Sequence, residues 1–391
     1  MGWSTAQGLG LTVHRPQLSF KGYTLAIPLA GDSAFLIDMD GRFVHRWQFE
    51  GLRPSKAELL ENGNLLVLGV ETDLLPKGPP PVVGSEPEPF EQRVRRLGAN
   101  GSMLREVAWD GEVVWEHRDV GIHHDFKRLA NGHTVFPVWV EMTEELSKVV
   151  RGGSKLPKEK LGLMLGDDIV EIDAGGKEVR RVETWKLFDP RKDAICPLEA
   201  RVEWTHVNSV DVNAEGEVVI SCRNNSRVAI ISAAGEMTWR YGAPNTGHQH
   251  HATWMANGNV QIFDNGMHRV RGMSTSKVIE VDPKTDEVVW SYQGSPPAQF
   301  FSGHISGASR LPNGNTLVCE GTAGRLFEVT KGGEVVWEWW NPVFNTRPDG
   351  VSMGWVFRAY RYGPDYAGLA GRELDAGGVE MAGLNRLFGL G

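Results

Sequence analysis

A short unit recurs six times along the chain, and this repeat excludes most architectures. The segments are AFLIDMDGRFVHRW (34–47), MLREVAWDGEVVWEH (103–117), IVEIDAGGKEVRRVE (169–183), VAIISAAGEMTWRY (228–241), KVIEVDPKTDEVVWSY (277–292) and RLFEVTKGGEVVWEWW (325–340). Each is an apolar run, a turn usually containing glycine, and a second apolar run, which is the pattern of a β-hairpin. Trp115, Trp239, Trp290 and Trp337 recur at one place in four of them. They read as core packing between repeats, without an implied ligand.

A second hairpin alternates with the first. It reads SKAELLENGNLLVLG (55–69), HHDFKRLANGHTVFPVW (123–139), HVNSVDVNAEGEVVISCR (206–223), HHATWMANGNVQIFDN (250–265) and HISGASRLPNGNTLVCEG (304–321). The turns NGN, NGH and EGE supply residues that tolerate positive φ. Two hairpins make one four-stranded unit, with strands A and B in the histidine hairpin and C and D in the tryptophan hairpin. A period of roughly forty to fifty residues with four strands each is the mark of a β-propeller rather than of two stacked sandwiches.

Six C–D units stand against five A–B units. The missing strand A is assigned to WVFRAYRY (355–362) and the missing strand B to KGYTLAIPL (21–29). The prediction is an all-β chain, a six-bladed β-propeller closed by pairing of the N- and C-terminal strands. It is one domain over 1–391, with the ring at 21–362 and a loosely packed tail at 363–391. Short helices are expected within 142–165, and a Pro-rich loop over 74–90.

The long connections 70–96, 140–167, 185–204, 292–303 and 341–354 all join B to C or D to A. One face is therefore elaborated, and loops on a rigid scaffold are where function usually sits. Strand A lies nearest the axis of a propeller, and histidines stand at the start of strand A in four repeats: His123 and His124, His206, His250 and His251, and His304. Aligned on Leu129, Val212 and Met255, His206 matches His123 and His250 matches His124. Side chains alternate along a strand, so one of each histidine pair faces inward, and register leaves open which. Arg223 ends strand B beside His206 and is expected at the same mouth. Single histidines at strand ends are most often structural, and His45, His133, His248 and His268 are read that way.

Charge and cysteine content narrow the function. A net charge of −8 opposes a nucleic-acid or anionic-membrane partner. Three scattered cysteines fit a reducing compartment rather than a disulfide framework. The first thirty residues lack a basic segment followed by an apolar run, and no stretch approaches a membrane span. A cytoplasmic protein is expected.

The pieces HHDFKRLANG (123–132), WTHVNSVDV (204–212), ISCRNNS (220–226), QHHATWMANGN (249–259), LPNGNTLVCEGTAGRLFEVTKGGEVVWEWWNP (311–342) and FRAYRY (357–362) resemble the arylsulfate sulfotransferase family. The resemblance covers most of the chain. It implies a six-bladed propeller that moves a sulfuryl group from a phenolic sulfate ester to a phenol, without adenosine phosphosulfate and without a cofactor. By motif, His250 of QHH matches the nucleophile. His206 and Asn208 of HVN, Arg223 of CRN and one of His123 or His124 match the groups around the sulfate. His251, His304, Arg358 and Tyr360 are expected to line the substrate. The implied partners are a small aromatic sulfate ester and a phenolic acceptor. Two other readings are a metal-dependent lyase or hydrolase holding a divalent ion on His123, His206, His251 and His304, and a non-catalytic binding propeller.

Overall fold

A computed structural model describes residues 8–75, 89–154, 163–269, 271–347 and 350–390. The chain is all-β, and its strands form the six blades of a β-propeller. The blades fall in two compact units.

The first unit comprises Met1–Gly69, Leu104–Glu116 and His304–Gly391. It contains blade 1, with strands in the order Val356–Tyr362, Tyr23–Pro28, Ser33–Ile37 and Phe43–Gln48. The C-terminal strand A therefore pairs with the N-terminal strand B, Tyr23 opposite Tyr362 and Ala26 opposite Ala359, as the unequal count of hairpins predicts. Most of blade 2 (Leu52–Leu59, Leu65–Glu71, Met103–Val107, Val113–Arg118) lies in the same unit. Blade 6 is Gly307–Arg310, Thr316–Glu320, Arg325–Val329 and Val335–Trp340. An unforeseen fifth strand, Gly10–His14, covers its outer edge by pairing with Val335–Trp340.

The second unit, Val70–Met103 and His117–Gly303, holds blades 3, 4 and 5. Blade 3 is Lys127–Arg128, Thr134–Glu141, Leu165–Ile172 and Glu178–Val182. Blade 4 is Val207–Val212, Val218–Cys222, Arg227–Ile231 and Met237–Gly242. Blade 5 is His250–Trp254, Val260–Asp264, Lys277–Val281 and Val288–Gln293. Strands B are buried along both faces. Strands D are more exposed, with Val113 and Val114 of blade 2 and Val288 and Val289 of blade 5 at the surface.

The A–B turns are closed by a repeated clip. Glu106, Glu280 and Glu328 on strands C accept from the turn amides Asn62 and Asn64, Asn257 and Asn259, and Asn313 and Asn315 respectively. In blade 3, His133 takes the asparagine's place, with Nδ1 2.7 Å from Glu171. His133 is thus structural, as read. The turn glycines Gly63, Gly132, Gly258 and Gly314 all have φ near +85°, where a Cβ is strained.

Of the connections, 76–88 lies outside the described residues, and with it most of the Pro-rich loop. Helix Glu144–Val149 forms inside 142–165, and 155–162 is not described. The tail departs from expectation. Helix Val379–Leu387 lays buried Asn385 against strand D of blade 1, where its amide donates to the Phe43 carbonyl (2.9 Å) and accepts from the Phe43 N–H (2.8 Å). One side chain thus satisfies both backbone groups of Phe43 on this edge strand, so the tail is seated rather than loose.

Candidate active site

The candidate site is built where strands A of blades 3, 4 and 5 begin. Leu129, Asn213, Met255 and Leu311 each donate their N–H across an A–B turn, to His133, Glu217, Asn259 and Asn315. Counting back from these residues corrects the sequence alignment. His206 shares its position with His248 and His304, and His124 shares its position with Asn208 and His250. The error arises because blade 4 places polar Asn213 where the other turns place an apolar residue, so Val212 is one residue early.

The start of each of these strands is irregular. Pairing slips by one residue between Val207 and Ser209 and between His250 and Thr253. His124, His206 and His251 have φ of 59°, 57° and 50°. Bulges re-aim side chains, and left-handed non-glycine residues cost about 1–3 kcal/mol and gather at functional sites. Such geometry breaks the simple alternation from which an inward-facing histidine was to be chosen.

His123 and His124 touch, Nδ1 to Nδ1 at 2.7 Å. His123 is wholly buried, stacked on Trp139 with ring centroids 4.1 Å apart, and its Nε2 lies 3.2 Å from Asp167 Oδ1. Burial lowers the His123 pKa, outweighing Asp167, so the ring is neutral. The His124 ring meets the His206 ring edge-on at 4.6 Å. His206 Nδ1 lies 2.7 Å from Glu203 Oε1, and Glu203 Oε2 accepts from Trp139 Nε1 at 3.0 Å. Burial pushes the Glu203 carboxyl up, but His206, His123 and the Trp139 indole together more than offset it and hold the group below its ordinary value. Thr205 donates its hydroxyl to Asp167. Two carboxylates thus support three histidines, a wiring suited to proton transfer.

His250 is held differently. Its Nδ1 faces two oxygens, Asn265 Oδ1 at 2.8 Å and the His248 carbonyl at 3.2 Å. Asn265 donates Nδ2 to the Ser302 carbonyl at 2.7 Å, which fixes the amide with its oxygen toward the imidazole. Both partners accept, so the proton sits on Nδ1 and the lone pair on Nε2. Asn208 Nδ2 donates to the Gln249 carbonyl at 2.9 Å, tying blade 4 to the residue before His250.

Arg223 follows strand B of blade 4, and its N–H bonds the His206 carbonyl at 2.9 Å. Its Nη1 pairs with Glu199 at 2.9 Å and reaches Asn224 Oδ1 at 3.2 Å. Beside it stand buried His248 and part-buried His268, rings 4.6 Å apart. Burial first, then the Arg223 charge, drives His248 down to about 3, so it is neutral. His248, His268 and Cys196 are, among the described residues, the ligand-type group of three whose donor atoms converge.

The remaining residues named from sequence are placed as follows. His251 is buried at the bulge of blade 5. His304 lies in the first unit, its ring 4.8 Å from Trp355. Arg358, also there, donates to the Ser306 and Phe357 carbonyls from a buried position. Tyr360 receives Lys56 Nζ over its ring at 5.7 Å. Trp204 is a core residue bonding the Asp193 carbonyl, and Phe300 is buried. Sequence reasoning passed over Asp167, Glu199, Glu203 and Asn265. Asn265 follows strand B of blade 5 as Arg223 follows strand B of blade 4, and that repeat position was the available signal.

The family model for arylsulfotransferase (ASST) matches residues 103–342. No curated protein matches the chain. Among solved structures, a protein of unknown function from Bacteroides caccae is 12% identical, with a TM-score of 0.54 over 87% of this chain and 98% of its own. Virginiamycin B lyase from Staphylococcus aureus is 13% identical, with a TM-score of 0.43 over 81% of this chain and 85% of its own. The first likeness is one of fold.

Proposed function

The chain belongs to the arylsulfotransferase family, and from that premise we propose that it moves a sulfuryl group from a phenolic sulfate ester to a phenol through His250. The observation that carries this reading is the pair of oxygens facing His250 Nδ1, Asn265 Oδ1 and the His248 carbonyl, which in the neutral ring put the proton on Nδ1 and leave the lone pair on Nε2.

In the first half-reaction Nε2 attacks sulfur, the N–S bond forms, and the ester S–O bond breaks to release a phenolate. Covalent catalysis divides one difficult transfer into two easier ones. The phenolate takes a proton from the His124–His206 pair, whose positive charge Glu203 stabilises. In the second half the same pair removes the proton of the acceptor phenol, its oxygen attacks sulfur, and the S–N bond breaks. The ester itself is the donor, so no adenosine phosphosulfate is needed. Charge on the sulfuryl oxygens is met by Arg223, whose guanidinium carries five N–H donors of which the contacts above use those on Nη1, and by Asn208. Three free cysteines support a reducing compartment such as the cytoplasm, and no described helix is long and apolar enough to cross a membrane.

The test is to mix the protein with an aryl sulfate alone, quench rapidly and map the modified peptide. A sulfuryl group on His250, discharged by a phenol, is expected. His250→Ala should lower turnover by at least about 10³-fold, and Arg223→Lys, which keeps charge but loses the planar fork, by about 10²-fold. Full turnover in His250→Ala, or a label on another residue, would overturn the reading.

A further inference from the structure

Cys196, His248 and His268 come from three separate connections of the second unit. Cys196 lies on the strand Ile195–Ala200, inside the long insertion 185–204. His248 precedes strand A of blade 5, and His268 follows strand B of that blade. One donor atom from each lies within 4.8 Å of the others. Cys196 Sγ stands 3.5 Å from His268 Nδ1. A tetrahedral zinc ion, with bonds of about 2.3 Å to sulfur and 2.0–2.1 Å to nitrogen, has a sulfur–nitrogen edge of about 3.5 Å. Glu199 Oε1 lies 3.5 Å from both His248 Nδ1 and His268 Nδ1, in reach of a fourth position.

Three further observations point to a ligand. His248 is 2% exposed, and its Nδ1 makes no hydrogen bond and has only the Glu199 carboxylate beside it at 3.5 Å, which is costly for a buried polar atom. Both histidines adopt left-handed backbone, φ 54° and 56°, and their rings meet edge-on at 4.6 Å. The group lies on the wall of a cavity of about 610 Å³, so an ion has a path in.

We propose that Cys196, His248 and His268 bind one thiophilic divalent cation such as zinc, with Glu199 beside the open position. The ion takes Cys196 as thiolate, its proton passing to solvent, and both histidines as neutral imidazoles. The ion ties the 185–204 insertion to blade 5. It also fixes Glu199, the partner of Arg223, and so sets the charge facing the proposed sulfuryl group.

The experiment uses full-length protein kept reduced, stripped with a chelator, and titrated with zinc and with cobalt(II). Expected are one equivalent per chain, the thiolate-to-cobalt charge-transfer band, and a rise in Tm on metal addition. Cys196→Ser should abolish that band, and both it and His268→Ala should weaken binding at least tenfold. The His268 side chain is 19% exposed, so His268→Ala serves if the cysteine variant fails to fold. Absence of stoichiometric binding overturns the proposal. So does binding that both variants retain without the charge-transfer band, because the ion is then held by other side chains.

Discussion

At the scale of single residues, one amide decides which nitrogen of an imidazole can react. Asn265 holds the proton of His250 on Nδ1, and only its oxygen can do so because its nitrogen is engaged with Ser302. Asn265→Ala should lower kcat by on the order of 10–10²-fold through misplacement of the nucleophile, shift the pH–rate profile, and leave KM for the donor nearly unchanged. A loss confined to KM would show that Asn265 acts on substrate instead. A second residue makes a stability prediction. His45 is stacked on Trp109 at 4.0 Å, and burial holds it at about 4 against an ordinary 6.5. The folded ring stays neutral while the unfolded ring takes a proton below pH 6.5. Its contribution is therefore fully present above that value and lost as pH falls toward 4. Urea midpoints should drop through this window, and His45→Gln should flatten the slope by up to about 1.4 kcal/mol per pH unit. Equal slopes in the two proteins would refute it. The QHH and HVN motifs were legible in the sequence. The Asn265 contact was not, because it crosses from strand B to strand A.

Among the elements, the clip between strand C and the A–B turn is most developed in blade 6. Glu328 accepts from Asn313, Asn315 and the Phe20 N–H, and pairs with Arg361 on the C-terminal strand at 2.5 Å. Both charged side chains are fully buried, and the guanidinium stacks over Trp337 at 4.2 Å. Burial lowers Arg361 to about 10, which leaves it charged at neutral pH. Arg361→Ala strands a buried carboxylate and should cost about 3–5 kcal/mol in chemical denaturation. Adding Glu328→Gln should recover part of that loss. A single-variant cost below about 1 kcal/mol would show that the pair is not a strut. The hairpins themselves were readable from alternating apolar runs. The edge strand Gly10–His14 was not, because five residues of mixed polarity become a strand only where Val335–Trp340 offers unpaired backbone.

At the scale of the molecule, closure depends on the C-terminal strand. Removing residues 355–391 strips strand A from Tyr23–Pro28 and exposes a buried apolar edge. That variant should aggregate or elute as oligomers in light scattering, and a monomer that unfolds cooperatively would contradict the closure argument. Removing only 1–14 uncovers the outermost edge, so loss of stability without loss of fold is expected.

Repeat period, hairpin turns and the unequal count of hairpins are local or additive properties, so the sequence by itself determined six blades and the strands that close them. It also marked the histidines, because repetition at strand starts is visible in one dimension. Tertiary structure alone decided their use. A one-residue bulge and a few left-handed residues reverse the facing of every side chain after them, and no pattern of period two announces such a slip. The carboxylates Asp167, Glu199 and Glu203 and the amide of Asn265 reach the histidines from irregular connections or neighbouring strands. Their partners are chosen by distance in space, which the order of residues does not carry.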